Sequence, residues 1–164
     1  MNEAPLSTLL IVLVVLILLS AFFSSSETGM MALNRYRLRH LSKNGHKSAQ
    51  RASRLLQRTD QLIGVILIGN NFVNILASAI ATVIAIRLWG DTGIVIATVG
   101  LTLIILIFAE VTPKTLAALY PEQIAFPASH VLSPLLKVFY PVVWSLNLIT
   151  NNLLRLMGIS LSGS

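Results

Sequence analysis

Three stretches of this 164-residue chain run without a charged side chain for about the length needed to cross a bilayer: residues 4–26, 61–86 and 92–109. A hydrocarbon core about 30 Å thick is crossed by about 20 mostly apolar residues in a helix. The first stretch is too long for the apolar region of a signal peptide, and the residue that precedes it is Ala4's neighbour Glu3, not a basic one. It therefore reads as a span. Composition agrees: 55% of residues are hydrophobic and 11% charged, against roughly 45–50% and about 25% in soluble domains. The mean hydropathy is +0.80. These values exclude a disordered chain and an ordinary soluble enzyme. With no cysteine, there is neither a disulfide framework nor a thiolate metal site.

The net charge is +6 and the isoelectric point is near 10.3. Spread over a soluble surface, such a charge would point to nucleic acid. Here, however, eight of the 12 Lys and Arg lie within residues 35–58, with no acid among them. The chain is thus not expected to bind nucleic acid. The positive-inside rule makes this segment cytoplasmic and puts the N-terminus outside. Within it, Leu38, Leu41, Ala49, Ala52, Leu55 and Leu56 recur at near-helical spacing, and Asn44-Gly45 interrupts them. That pattern predicts two short amphipathic helices that dock on anionic lipid headgroups. The short segment Arg87-Leu88-Trp89-Gly90-Asp91 makes the second and third spans antiparallel neighbours.

A fourth apolar stretch, residues 131–157, contains Pro134, Lys137, Pro141, Trp144, Asn147, Asn151, Asn152 and Arg155. It reads either as a kinked fourth span or as an amphipathic helix in the headgroup plane. The favoured architecture is an all-α membrane protein with spans at about 5–33, 62–87 and 93–112. Basic cytoplasmic helices occupy 35–59, and a juxtamembrane surface helix occupies about 129–157. The predicted location is the cell membrane, with a cytoplasmic C-terminus.

Polar residues interrupt each span at depth. An ionisable side chain there costs about 2.5–3.5 kcal/mol on insertion scales, which makes it a functional candidate. The first span carries Ser24-Ser25-Ser26-Glu27-Thr28, with Glu27 placed to pair with a basic neighbour near the surface. The second carries Ile68-Gly69-Asn70-Asn71-Phe72-Val73-Asn74, and Asn70, Asn74 and Ser78 share one helical face. The third carries Glu110-Val111-Thr112-Pro113-Lys114. Pro113 has no N–H, so the Ala109 carbonyl loses its helical donor, and a kink or π-bulge is expected beside Glu110. At about 1.5 Å per residue, Ser25 lies about 28 Å from Leu6, Glu110 about 26 Å from Gly93, and Asn70 about 12 Å from Leu62. All three levels fall in the inner half of the membrane. A set of hydroxyls, amides, carbonyls and one or two carboxylates selects a hard cation such as Mg²⁺, Ca²⁺ or Na⁺ over Zn²⁺ or Cu²⁺.

In this order, each in its own apolar segment, the three motifs resemble the signature stretches of the CorC/CNNM-type transmembrane domain. The resemblance spans about residues 6–157. It implies a divalent-cation transporter, chiefly for Mg²⁺, acting as a homodimer and exporting its ion in exchange for Na⁺. It also implies cytoplasmic CBS modules that bind ATP. The 164 residues contain no such module, so this chain by itself is expected to lack nucleotide regulation. Carried over by position, the ion-site candidates are Ser24 or Ser25, with Ser25 preferred, then the Gly69 carbonyl, Asn70, Asn74 and Glu110. Pro113 and Lys114 are expected to shape the site.

No enzyme is expected, because the chain has no His within a span, no Gly-x-Ser-x-Gly and no paired intramembrane aspartates. A membrane anchor or sensor that holds Mg²⁺ without moving it predicts the same binding as a transporter, and flux separates the two. The topology has its own test in a chain with no native cysteine. A cysteine introduced at Ser162 should stay unlabelled by an impermeant thiol reagent added outside intact cells. Labelling there would overturn the three-span arrangement.

Overall fold

The computed structural model describes residues 5–159, and every regular element among them is helical. The Ser162 position therefore lies outside the described residues. Helix α1 (Leu6–Ala32) starts after the extended Pro5 and runs through the Leu-, Ile- and Val-rich segment. It ends where Asn34 turns its side chain to the next helix, accepting from the Tyr36 and Arg37 amides at 3.0 and 3.1 Å. This is an N-cap, which satisfies two of the amides that a helix start leaves open. Helices α2 (Arg35–Lys43) and α3 (Lys47–Leu56) follow, separated at Asn44–Gly45, where Gly45 takes φ +87°. His46 caps α3 by accepting from the Ala49 amide at 3.1 Å. The buried face of this basic pair is Leu38, Ala49, Ala52, Leu55 and Leu56.

From Thr59 to Leu119 the chain is helical almost without a break, 61 residues in all. Straight, that would measure about 90 Å, three times the hydrocarbon core. It folds back instead. Helix α4 (Thr59–Trp89) ends at Gly90, whose φ of +70° belongs to the region that L side chains rarely enter. A short 3-10 turn (Gly90–Thr92) leads into α5 (Gly93–Ile104). Gly93 lies so close to the Ala85 carbonyl that a side chain would overlap it. The two legs are therefore antiparallel and in contact through the turn and along α5, beyond which the returning leg packs on α1. The returning leg passes through a π-helical turn (Ile105–Val111) into α6 (Thr112–Leu119), seven residues beyond the predicted end of the third span.

Helix α7 (Pro121–Leu156) starts eight residues before the expected juxtamembrane helix, with Pro121 in its first turn, where a missing N–H is harmless. By length and composition, three helical segments can cross a membrane: Leu6–Ala32, Thr59–Leu119 and Pro121–Leu156. Pro127, Pro134 and Pro141 all lie inside α7. Seven residues apart, they share one face, and all three are exposed. The opposite face, Ala125, Ala128, Ser129, Leu132, Leu136 and Val143, is buried against α1, α3 and α4. Arg37 Nε donates to Glu122 Oε1 and ties α2 to the start of α7. Such an exposed pair is worth at most about 1 kcal/mol.

Helix α1 packs most closely on α4, and Gly69 sets the distance between them. An added methyl at Gly69 would come within 2.5 Å of Phe23 Cζ and 2.8 Å of Cε1. Gly69→Ala should therefore overpack the contact and destabilise the fold by about 1–3 kcal/mol. Thermal unfolding in detergent reads the loss. Adding Phe23→Leu should recover part of it, whereas strictly additive losses would refute the contact as the cause.

Candidate functional site

The polar residues of the three motifs meet along the inner surfaces of α1, α4 and the π turn. The meeting begins with a residue that the sequence motifs do not contain. Ser20, four residues before Ser24 on α1, is fully buried. Its hydroxyl lies 2.6 Å from Asn74 Oδ1 and 3.1 Å from Asn70 Oδ1. One hydroxyl hydrogen serves one acceptor fully, so this cluster holds more oxygen lone pairs than protons to fill them. The i, i+4 spacing to Ser24 was the only sequence signal for Ser20.

The three consecutive serines separate into two kinds. The Oγ atoms of Ser25 and Ser26 both return to the Phe22 carbonyl, at 3.1 and 2.6 Å. This is the back-bonding that lets a serine sit in a helix surrounded by apolar groups. Ser24 is 1% exposed, and its Oγ has no hydrogen-bond partner in the protein. Buried hydroxyls are almost always paired, so Ser24 is the exception that asks for a role. Of the two serines carried forward from the motif, Ser24 has the free oxygen, while Ser25, the preferred one, has its hydroxyl committed to its own helix.

Asn74 also faces a second space. With Ser78 on α4, Thr98 and Thr102 on α5, and Glu110 on the π turn, it lines a groove of about 360 Å³. Thr98 and Thr102 donate their hydroxyl protons to carbonyls one turn back, at 2.8 and 2.5 Å, which leaves lone pairs for the groove. Asn70 and the three serines do not line it. Asn74 is thus the residue common to the buried cluster and the groove. Gly69 serves this geometry by admitting the Phe23 ring.

Glu110 owes its setting to Pro113. The Thr112 amide reaches five residues back to the Ile107 carbonyl, which is π geometry. Pro113 then has no hydrogen for the next carbonyl in the series. One backbone donor is thereby missing beside the carboxylate. Glu110 Oε2 lies 3.3 Å from Lys114 Nζ, with side chains 27% and 46% exposed. The carboxylate thus already accepts from an ammonium, and the pair is neutral. Glu27, by contrast, makes no ion pair with any described residue. The basic neighbour expected for Glu27 is not found among the described residues.

Among the described residues there is no grouping of three or more His, Cys, Asp or Glu. The donors are hydroxyls, side-chain amides and one carboxylate, a chemistry suited to hard cations. They are not gathered into one closed shell. Ser20, Asn70 and Asn74 form one cluster, Asn74 and Glu110 share the groove, and Ser25 and Gly69 face elsewhere.

The cyclin M transmembrane N-terminal domain matches residues 11–164 of this chain. The UPF0053 inner membrane protein YfjD of Escherichia coli (strain K12) is 59% identical over 140 residues, which is 85% of this chain and 33% of that protein. A UPF0053 protein of Haemophilus influenzae is 53% identical over 161 residues, 98% of this chain and 38% of its own length. A protein named polyamine export protein, also from Haemophilus influenzae, is 30% identical over 154 residues, 86% of this chain and 36% of its own length. The chain spans about a third of the length of the curated relatives it matches. With its apolar helices and with this match over nearly all of its length, the chain is a multi-pass membrane protein that belongs to the cyclin M transmembrane domain family.

Proposed function

We propose that the chain carries a divalent cation, Mg²⁺ in the first instance, across the membrane through the oxygen-lined region between α1, α4 and the π turn. The observation that carries this reading is the position of Asn74. It joins a buried cluster of neutral oxygens to a groove with a single carboxylate. Neutral ligands with one carboxylate bind a dehydrated cation weakly enough to release it, as a transport site must. Ser24, with its unpaired hydroxyl, is the further ligand that α1 offers. Movement outward and exchange for Na⁺ belong to the same proposal and rest on the family resemblance.

The orientation is proposed from charge: α2 and α3, with eight basic residues in and beside them, lie at the cytoplasmic surface. Helix α7 is proposed to lie in the headgroup plane. At 36 residues it is about 54 Å long, well beyond the core thickness. Its three prolines deprive the Gln123, His130 and Lys137 carbonyls of their helical donors on the exposed face. Three such carbonyls would each cost several kcal/mol in hydrocarbon and little among headgroups and water. A second copy of the chain is proposed to cover the groove at Glu110.

One observation favours a second cargo. Glu110 already receives a primary ammonium from Lys114, the contact that a protonated polyamine would make, and a relative is named polyamine export protein.

Calorimetric titration with Mg²⁺ tests the site. Glu110→Gln keeps the shape and removes the charge, and should weaken binding by at least an order of magnitude, about 1.4 kcal/mol. Ser20→Ala and Asn70→Ala should weaken it less, since water can replace a neutral ligand. Glu27→Gln should leave it unchanged. Parent-like binding by Glu110→Gln would refute the assignment. Spermidine binding that depends on Glu110, with no Mg²⁺ binding, would favour the second cargo. Mg²⁺ flux into proteoliposomes separates a transporter from a sensor.

A further inference from the structure

A cleft of about 830 Å³, sharing no lining residue with the groove at Glu110, opens between α3, the start of α4 and the middle of α7. Arg51, Arg54, Arg58 and Lys137 line it together with Gln61 and Tyr140, and no carboxylate does. None of the four cations makes an ion pair with a described residue. Only Arg51 is engaged, donating from Nη1 to Ser129 Oγ at 3.4 Å. Gln61 Oε1 is buried with no hydrogen-bond partner in the protein. Four like charges facing one space repel one another until an anion enters, and an unpaired buried carbonyl oxygen waits for a donor.

The level of the cleft narrows the choice of anion. Gln61 is the first residue of the charge-free run of α4, so the cleft stands where that helix enters hydrocarbon. Tyr140 and Trp144, both exposed on α7, are the side chains that settle at this boundary. Guanidinium groups match phosphate oxygens in a two-pronged geometry. We infer that this cleft is a binding site for the headgroup of an anionic glycerophospholipid. The phosphate lies among Arg54, Arg58 and Lys137, and a headgroup hydroxyl donates to Gln61 Oε1.

A second basic recess, of about 320 Å³ and lined by Arg35 and Arg39, supplies an internal comparison. The experiment is native mass spectrometry of the detergent-purified chain titrated with dioleoylphosphatidylglycerol. Dioleoylphosphatidylcholine serves as the neutral lipid and inorganic phosphate as competitor. The parent should retain the anionic lipid and not the neutral one. The triple variant Arg54→Gln, Arg58→Gln, Lys137→Gln should bind it at least about tenfold more weakly, about 1.4 kcal/mol. The charge-matched variant Arg35→Gln, Arg39→Gln, Lys43→Gln should bind it as the parent does. Equal loss in both triples would overturn the site in favour of diffuse charge, and displacement by millimolar inorganic phosphate would reassign it to a soluble anion. Should the cleft triple not fold, Lys137→Gln alone, on an exposed position, should weaken retention about fivefold. A parent-like value there would also overturn the inference.

Discussion

Everything in the polar centre of this protein follows from the shortage of hydrogen-bond partners within a membrane. Water is not there to pair a spare carbonyl or hydroxyl, so each must find a partner in the protein or be held for something else. Most of the chain solves this by helix formation and by serines and threonines that bond to their own backbone, as Ser26, Thr98 and Thr102 do. The exceptions fall at two places: the Ser24 hydroxyl with the crowded oxygens of Ser20, Asn70 and Asn74, and, at the start of α4, the buried Gln61 Oε1 of the basic cleft.

Close approach of helices is the second requirement, and glycine supplies it at two places. Gly69 lets the tip of the Phe23 ring press against α4, which brings Ser20 within reach of the two asparagines. Gly93 lets α5 press on the Ala85 carbonyl, which keeps the returning leg near enough for Glu110 and Asn74 to share a groove.

The fold was legible in the sequence because its causes are local. Charge-free runs, the Asn44–Gly45 break and the hydrogen missing from Pro113 act on the residues next to them, so helices α1 to α5 and a kink or π-bulge beside Glu110 could be anticipated, whereas α6 lies beyond the expected end of the third span. What depends on distant partners could not. Ser20 looks like any serine in a leucine-rich helix until α4 is placed beside it. Choosing among Ser24, Ser25 and Ser26 needed the rotamers, since each can turn back to a carbonyl three or four residues earlier and only two do. Glu27 was expected to find a basic neighbour, yet no ion pair reaches it from any described residue, and the pair that forms nearby in sequence, Arg37–Glu122, depends on where α7 lies. The early start of α7 was hidden because Pro121 and Pro127 suggest interruption, although the helix accommodates both.

The three prolines of α7 also have a mechanical meaning. Each removes a hydrogen bond from the same outward side, at intervals of about 10.5 Å along the axis. A rod weakened along a single line has an easy bending plane, and here that plane passes through the buried face that rests on α1, α3 and α4. Curvature around the three-helix body costs little, while sideways deflection meets the full stiffness of an intact helix. Helix α7 is thus more compliant toward the bundle than sideways across it.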